Sequence, residues 1–258
     1  VWNAVGSRTY EAGLDRGVLY LDGQPGIAWS GLTGVTESPS GGDNKTFYLD
    51  GVKYLNYSSV EEFQATLTAF THPIEFAACD GSARARAGLF LGQQRRKTFG
   101  LTYRTKIGND LAAGDFGYKI HLVYNALTGG PADRAYSSLG KSDDATDFSW
   151  TITTKPMTIP GYQPTSYMVL DSRFVDPIAL GKIEDLLYGN DTQSAQLPSW
   201  TDLIAILDEP QAFDLIDNGD GTYEIDAPAS IMTVTSGVFA LTWPGAVNNG
   251  NGTYTISD

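Results

Sequence analysis

The side chains best suited to chemistry are few in this chain, and their spacing assembles no reactive centre. His72 precedes Pro73, and His121 falls on the polar side of an alternating pattern. A metal site needs several ligands at matched spacing, so both histidines read as structural. Cys79 stands alone, so no internal disulfide forms, as suits a reducing compartment. Gly140-Lys141-Ser142 imitates the end of a phosphate-binding loop, but Ala135 stands where the loop's first glycine belongs, and no strand-to-helix pattern surrounds it. No Gly-x-Ser-x-Gly nucleophile elbow and no His-Glu-x-x-His zinc motif occurs. Asp214, Asp217, Asp220, Glu224 and Asp226 crowd around glycines, yet the ligand order of a calcium loop is missing. A turn with a solvated strand face explains them better. No carboxylate pair is singled out for acid–base work. The expectation is a chain with no catalytic site, no metal and no cofactor.

Charge is the more informative feature. The formal net charge is −13, but residues 189–258 carry ten acids and no Lys or Arg. An acidic surface repels nucleic-acid phosphates. Against that background stands a basic tract: Arg84, Arg86, Arg95, Arg96, Lys97, Arg104 and Lys106, with no acid between Asp80 and Asp110. A nucleic-acid patch is one reading, and pairing with carboxylates of neighbouring subunits is the other; the acidic whole favours the second. Charged residues are only 18% of the chain, the deficit expected of a protein that buries surface against copies of itself. No window approaches the roughly 20 apolar residues of a membrane helix. Residues 1–30 lack the basic start and apolar run of a secretion signal. Neither a membrane anchor nor export is therefore expected.

These side chains need a mainly β scaffold to hold them. Phe47-Tyr48-Leu49 and Val52-Lys53-Tyr54-Leu55 flank Asp50-Gly51, a tight-hairpin signal. Ser59 and Glu62 form a capping-box pattern, and Val60, Phe63, Leu67 and Phe70 recur at helical spacing, which predicts a helix over 60–69. Phe99/Leu101/Tyr103, Tyr118/Ile120/Leu122/Tyr124 and Phe148/Trp150/Ile152 alternate with polar residues and predict strands, and 167–170 predicts another. Between the first two lies 107–117, read as a long polar loop; 34–46 is a second loop by composition. Asp176-Pro177 opens a helix that Gly189 ends, and 189–200 reads as a linker. Trp200 to Leu207 is a short apolar segment stopped by Pro210. Finally, 216–225 and 247–256 echo each other at an offset of 31 residues, each a turn entering a strand. Two copies are too few for a solenoid, so the division expected is a β domain over 1–210 and a small acidic β extension over 211–258.

Several segments, in order, resemble the major tail tube proteins of long-tailed phages with non-contractile tails, especially those infecting actinobacteria. They are Gly6-Ser7-Arg8-Thr9-Tyr10-Glu11, Asp15-Arg16-Gly17-Val18-Leu19-Tyr20, Trp29 through Gly42 with Glu37-Ser38-Pro39-Ser40-Gly41-Gly42, and Tyr54-Leu55-Asn56. Pro73 to Gly81, Arg96-Lys97-Thr98-Phe99-Gly100 and Tyr103-Arg104-Thr105-Lys106-Ile107-Gly108-Asn109-Asp110 continue the series. Gly117-Tyr118-Lys119, Phe148-Ser149-Trp150 and Leu186-Leu187-Tyr188-Gly189 complete it. The resemblance is weakest after Pro210.

The resemblance implies a tail-tube-like β-sandwich or barrel with a flanking helix. It implies rings, usually six-fold, that stack into a tube guiding genome DNA into the host without binding it specifically. It also implies assembly in the host cytoplasm into a virion tail, beside tape measure, tail-tip and tail-terminator proteins. Candidate contacts between subunits are Arg8, Tyr10 and Arg16 in the N-terminal arm, Ser38, Pro39, Gly41 and Lys45 in the first loop, and Arg104, Lys106, Asn109, Asp110 and Asp115 around the second. A carbohydrate-binding β-sandwich module is the alternative, since Tyr and Trp stack on sugars. A glycosidase-like enzyme would need two facing carboxylates, and the inner tube of type VI secretion is a cousin architecture.

Overall fold

A computed structural model describes residues 4–134, 136 and 147–209, together with strand segments beyond them. The strands in chain order are β1 (Thr9–Tyr20), β2 (Ile27–Ala28), β3 (Leu32–Glu37), β4 (Asn44–Leu49), β5 (Val52–Ser58) and β6 (Gln64–Ala69). After a 3-10 turn at Ile74–Ala78 come β7 (Ala83–Arg86), β8 (Leu89–Leu91), β9 (Phe99–Asn109), β10 (Ala113–Thr128), β11 (Asp133–Arg134), β12 (Phe148–Thr154) and β13 (Tyr167–Asp171). Two helices follow, α1 (Pro177–Tyr188) and α2 (Trp200–Leu207), and then six short strands: β14 (Asp214–Asp217), β15 (Tyr223–Asp226), β16 (Met232–Thr235), β17 (Val238–Leu241), β18 (Ala246–Asn248) and β19 (Tyr254–Ile256).

Nine of these strands form one antiparallel sheet in the order β2-β1-β9-β10-β12-β6-β3, with β11 added to β12 and β13 to β10. The 16-residue β10 is its pivot. Its middle pairs with β9 and β13, and its end, Ala126–Thr128, pairs with β12. A bulge between these parts, with Asn125 at φ 51°, re-aims the strand. The sheet thus folds over on itself. Leu19, Leu101 and Tyr103 from one half meet Leu67, Trp150 and Ile152 from the other, and Phe76 of the 3-10 turn packs with them. Trp29 meets Trp150 edge-on at 5.8 Å between ring centres.

The opposite face of β1, β9 and β10 is covered by helices. Val18, Tyr20, Ile120 and Leu122 pack against Leu180, Ile183, Leu187 and Leu203. Buried hydroxyls fix this layer: Tyr20 donates to the Leu187 carbonyl at 2.7 Å, and Tyr124 to that of Pro198 at 2.9 Å. With both faces covered, Phe99 to Tyr103 are buried without a break, as in strands that lie between two layers. Asp176 caps α1 by accepting from the Ile178 and Ala179 amides, Pro177 takes the first turn, and Gly189 closes it at φ 75°.

The structure corrects four sequence expectations. Residues 60–69 are not a helix: Gln64–Ala69 is β6, paired on both sides, with Ala65, Leu67 and Ala69 buried at period 2. Ser59 and Glu62 act in a different way, since the Ser59 amide donates to Asp43 and Glu62 bridges to Ser40. The 107–117 region is mostly strand, leaving only 110–112 between β9 and β10. Likewise β3 and β4 shorten the 34–46 loop to 38–43. Trp200–Leu207 is a full helix with a Ser199/Asp202 capping box. The phosphate-loop imitation at 140–142 lies outside the described residues.

The internal echo is a repeat of hairpins. Asp217 faces Tyr223 and Leu215 faces Ile225 in the first; Asn248 faces Tyr254 and Ala246 faces Ile256 in the second. The 31-residue offset therefore conserves strand register as well as residue type. A third hairpin, β16–β17, lies between them in sequence.

Candidate assembly surface

The β4–β5 hairpin is the main exposed feature of the described chain. Asp50 and Gly51, at φ 51° and 76°, form a two-residue turn between Leu49 and Val52. Both strands pair only with each other among the described residues. Their register sorts the side chains. Lys45 faces Tyr57, Phe47 faces Leu55 and Leu49 faces Val52 on one side; Thr46 faces Asn56 and Tyr48 faces Lys53 on the other, with the irregularity falling at Tyr54. Thr46 donates to Asn56 at 3.0 Å on the polar side. Beyond Lys45 the first side is apolar yet open to solvent: Phe47 is 53%, Leu49 58%, Val52 68% and Leu55 50% exposed. Two-sided patterning of this kind belongs to strands with one face buried. At the hairpin's base an open groove of about 640 Å³ runs between Pro39, Val60, Phe63, Pro164 and Tyr167.

The main sheet also ends in unpaired edges. Among the described residues β3 pairs only with β6, and Thr9–Ala12 of β1 only with β9. Such edges carry a row of free amide and carbonyl groups, ready to pair with another chain.

The sequence-derived contact residues fall into two groups. Ser38, Pro39, Gly41 and Lys45 lie exposed where β3 passes into the hairpin, and Gly41 stands at φ 90° with the Val60 carbonyl so close that a Cβ would collide with it. Tyr10 lies half-exposed on the free edge of β1, Arg8 lies exposed just ahead of it, and Lys106 is exposed on β9. The others are held within the chain. Arg104 grips Asp15 through two hydrogen bonds of 2.7 Å and lies over the Tyr118 ring. This pair keeps the Asp15 carboxyl below the usual range. Arg16 pairs with Glu184 of α1 at 3.2 Å. Asn109 is buried, accepting from the Leu111 and Ala112 amides, while Asp110 accepts from the Gly6 amide at 2.9 Å. Asp115 sits in β10.

Sequence reasoning missed a polar network inside the sheet fold. Glu37 Oε1 accepts from the hydroxyls of Tyr103 (2.5 Å) and Tyr167 (3.0 Å). His121, on the polar side of its strand by alternation, is buried against Tyr103 with the rings stacked at 4.5 Å. Its Nδ1 lies 2.6 Å from the Tyr167 hydroxyl and its Nε2 2.9 Å from that of Thr105. Because the Tyr167 proton goes to Glu37, Nδ1 carries the imidazole hydrogen and Nε2 accepts. Burial lowers the His121 pKa, which agrees with this neutral form. His72 packs its ring against Phe76, Phe148 and Trp150. Burial pushes the Cys79 thiol up to about 12, so it is inert as a nucleophile.

Among the described residues no group of three His, Cys, Asp or Glu could hold a metal ion, and no helix is long and apolar enough to cross a membrane. No protein-family model matches the chain, and neither does any curated protein sequence. Solved structures to which the chain is similar include a chain of the anti-feeding prophage baseplate, at 12% identity and a TM-score of 0.33, covering 65% of this chain and 95% of that one. A chain of the extended sheath–tube complex of the PVC extracellular contractile injection system is similar at 15% identity and a TM-score of 0.31, covering 60% and 88%. A chain of the anti-feeding prophage tube-terminating cap is similar at 12% identity and a TM-score of 0.31, covering 67% and 94%.

Proposed function

We propose that this chain is the repeating subunit of a phage tail tube, a structural virion protein and not an enzyme. The observation that carries the reading is the exposed apolar face of the β4–β5 hairpin. Fully burying a side chain such as Phe47, Leu49, Val52 or Leu55 is worth about 1.5–3 kcal/mol, and a lone chain forgoes that gain. Covering by another copy supplies it. The resemblance of segments spread from Gly6 to Gly189 supports the same reading.

In this assembly the free edges of β1 and β3 join neighbours by backbone pairing within a ring. A head-to-tail contact that closes makes the ring, usually of six copies in tubes of this kind, and axial repetition stacks rings into a tube. Tyr10, Ser38, Pro39, Gly41 and Lys45 sit at an edge and the hairpin hinge, where such contacts form, and Lys106 is exposed on β9 beside the β1 edge strand. Arg16, Arg104, Asn109 and Asp110 act indirectly, by stiffening the N-terminal strand that is presented. The tube is the conduit for genome DNA, with tape measure, tail-tip and terminator proteins as its companions. An acidic chain suits a lumen along which DNA slides without sticking.

A sugar-binding module would need its exposed aromatics on one platform. Tyr48 and Tyr57 lie on opposite faces of the hairpin and Tyr54 at its irregularity, so these three tyrosines do not share one platform. The test is negative-stain electron microscopy of the concentrated full-length protein. Hollow tubes or stacked rings are expected; a stable monomer that binds an oligosaccharide overturns the reading.

A further inference from the structure

We infer that the basic groove beside the β7–β8 hairpin docks on the acidic outer face of the α1–α2 layer of a second copy of this chain. The inference rests on the reading of the chain as an assembling subunit and names one contact in that assembly.

The groove is open, about 410 Å³ in volume, and lined by Ile74, Arg84, Phe90, Arg95 and Lys97, with Glu75 as its one acid. The hairpin beside it turns at Gly88, φ 76°, and among the described residues β7 and β8 pair only with each other. Its root is fixed on the 3-10 turn: the Ser82 amide donates to the Ala77 carbonyl at 2.8 Å, and the Lys97 amide to that of Ala78 at 3.1 Å. Leu89, Phe90 and Leu91 are nevertheless exposed by 52%, 38% and 49%. Arg84, Arg95 and Lys97 are exposed too, and among the described residues they enter no ion pair. Arg104, from the same basic tract, is already neutralised by Asp15. The groove is thus cationic and apolar together.

The helix layer has the opposite sign. Residues 174–209 hold seven acids and one base, Lys182. Three of the acids are engaged within the chain: Asp176 caps α1, Glu184 pairs with Arg16, and Glu209 pairs with Lys182 at 2.6 Å. The other four, Asp185, Asp191, Asp202 and Asp208, are exposed and enter no ion pair among the described residues. The Lys182–Glu209 pair bridges α1 and α2, so their outer stripes form one surface. Ile178, one turn before Lys182 on that stripe, is 40% exposed. Carboxylates around an Ile complement arginines and a lysine around Phe90, and Arg forks suit carboxylates.

Both surfaces have fixed places in the same fold, and those places separate them. α1 and α2 bury Leu180, Ile183, Leu187 and Leu203 on one face of the β1-β9-β10 sheet. The 3-10 turn that roots the hairpin buries Phe76 in the core on the other face. No ion pair joins the groove to the helices within the chain, and neither can reach the other without leaving the layer it packs on. The complementary charges can therefore meet only between copies. A contact between two different patches is head-to-tail, the kind that closes into a ring when repeated.

The experiment mixes unlabelled and ¹⁵N-labelled whole chain before concentrating it, then adds a carbodiimide, which joins a lysine amine to a carboxylate only in direct contact. Cross-links from Lys97 to Asp185, Asp202 or Asp208 that unite one light and one heavy peptide are expected. They should vanish in Arg84→Glu/Arg95→Glu and in Asp185→Arg/Asp208→Arg, each at exposed sites that leave the thermal midpoint unchanged. Mixing the two double variants should restore them, because each groove then meets a helix layer of opposite charge. They should also fade between about 0.1 M and 1 M salt, as the screening length falls from about 10 Å to about 3 Å. Cross-links confined to one label, none at all, or no recovery on mixing overturn the inference. So does tight binding of a DNA duplex that Arg84→Glu/Arg95→Glu abolishes. Tubes without the mixed cross-link would remove this contact and keep the tube; the mixed cross-link without tubes would keep the contact and remove the tube.

Discussion

The Tyr103 hydroxyl donates to Glu37 Oε1 at 2.5 Å, tying β9 to the edge strand β3 across 66 residues of sequence. Tyr103 is 2% exposed, so its hydroxyl has no water to fall back on. Burial is the first cause that drives its pKa far upward, and the Glu37 carboxylate adds to it. The tyrosine therefore keeps its proton and donates it to the glutamate. Glu37→Ala strips the buried hydroxyl of its acceptor and should cost about 1–3 kcal/mol. Tyr103→Phe should cost less, since Glu37 keeps Tyr167. Urea unfolding of the two variants checks the order; equal costs would show that the network contributes little.

The same network makes stability depend on pH. Burial lowers the His121 pKa below its ordinary 6.5, Glu37 and Glu11 oppose that shift, and Lys119 adds to it. A histidine with a depressed folded pKa is protonated first in the unfolded chain. Its contribution is fully present above pH 6.5 and is lost as pH falls from there through the depressed folded value. Asp15 and Asp171, held below 3.8 by Arg104 and Arg173, keep their contribution down to about 3.8 and lose it only as the pH falls below that. The melting temperature should fall in two separate steps, and His121→Gln should abolish the upper one alone. An unchanged upper step would place the titrating group elsewhere.

The hairpin face separates folding from assembly. Phe47→Ser combined with Leu55→Ser removes apolar area that the lone chain already exposes. Surface changes of this kind usually alter stability by within about 0.5 kcal/mol. The variant should fold with a near-wild-type midpoint and yet form no tubes by electron microscopy. Tubes of normal yield would show that this face stays in solvent, and would take away the main support for the tube reading.

Local signals were legible in the sequence, and long-range ones were not. The Asp50-Gly51 turn, the Asp176 cap and the alternation in β9, β10 and β12 are decided within a few residues, and the structure has each of them. β6 was misread because Phe63 and Leu67 satisfy helical and strand spacing alike. What selects the strand is pairing on both sides, to Glu37 in β3 and Trp150 in β12, far away in sequence. His121 was placed on the polar side of its strand because its neighbours alternate; only the fold of the sheet shows that this side too is buried. α2 was written in its Ser199/Asp202 box, a local signal passed over. The apolar hairpin face was readable as a pattern, but its exposure was not, since exposure is a property of the whole surface.

The acidic extension is expected to be separable from the tube body. Each of its hairpins pairs within itself, and the resemblance to tube proteins is weakest there. The exposed face of β4–β5 and the free edges of β1 and β3 all lie before residue 60. A chain ending at residue 210 should therefore still polymerise. It keeps the basic groove and the helix carboxylates, so its assembly should respond to salt as that of the full chain does, because the same charge contact remains to be screened. Turbidity and electron microscopy at low and high salt measure both effects. Loss of all polymerisation would make the extension part of the tube wall; polymerisation with diminished salt sensitivity would place salt-dependent contacts in the extension.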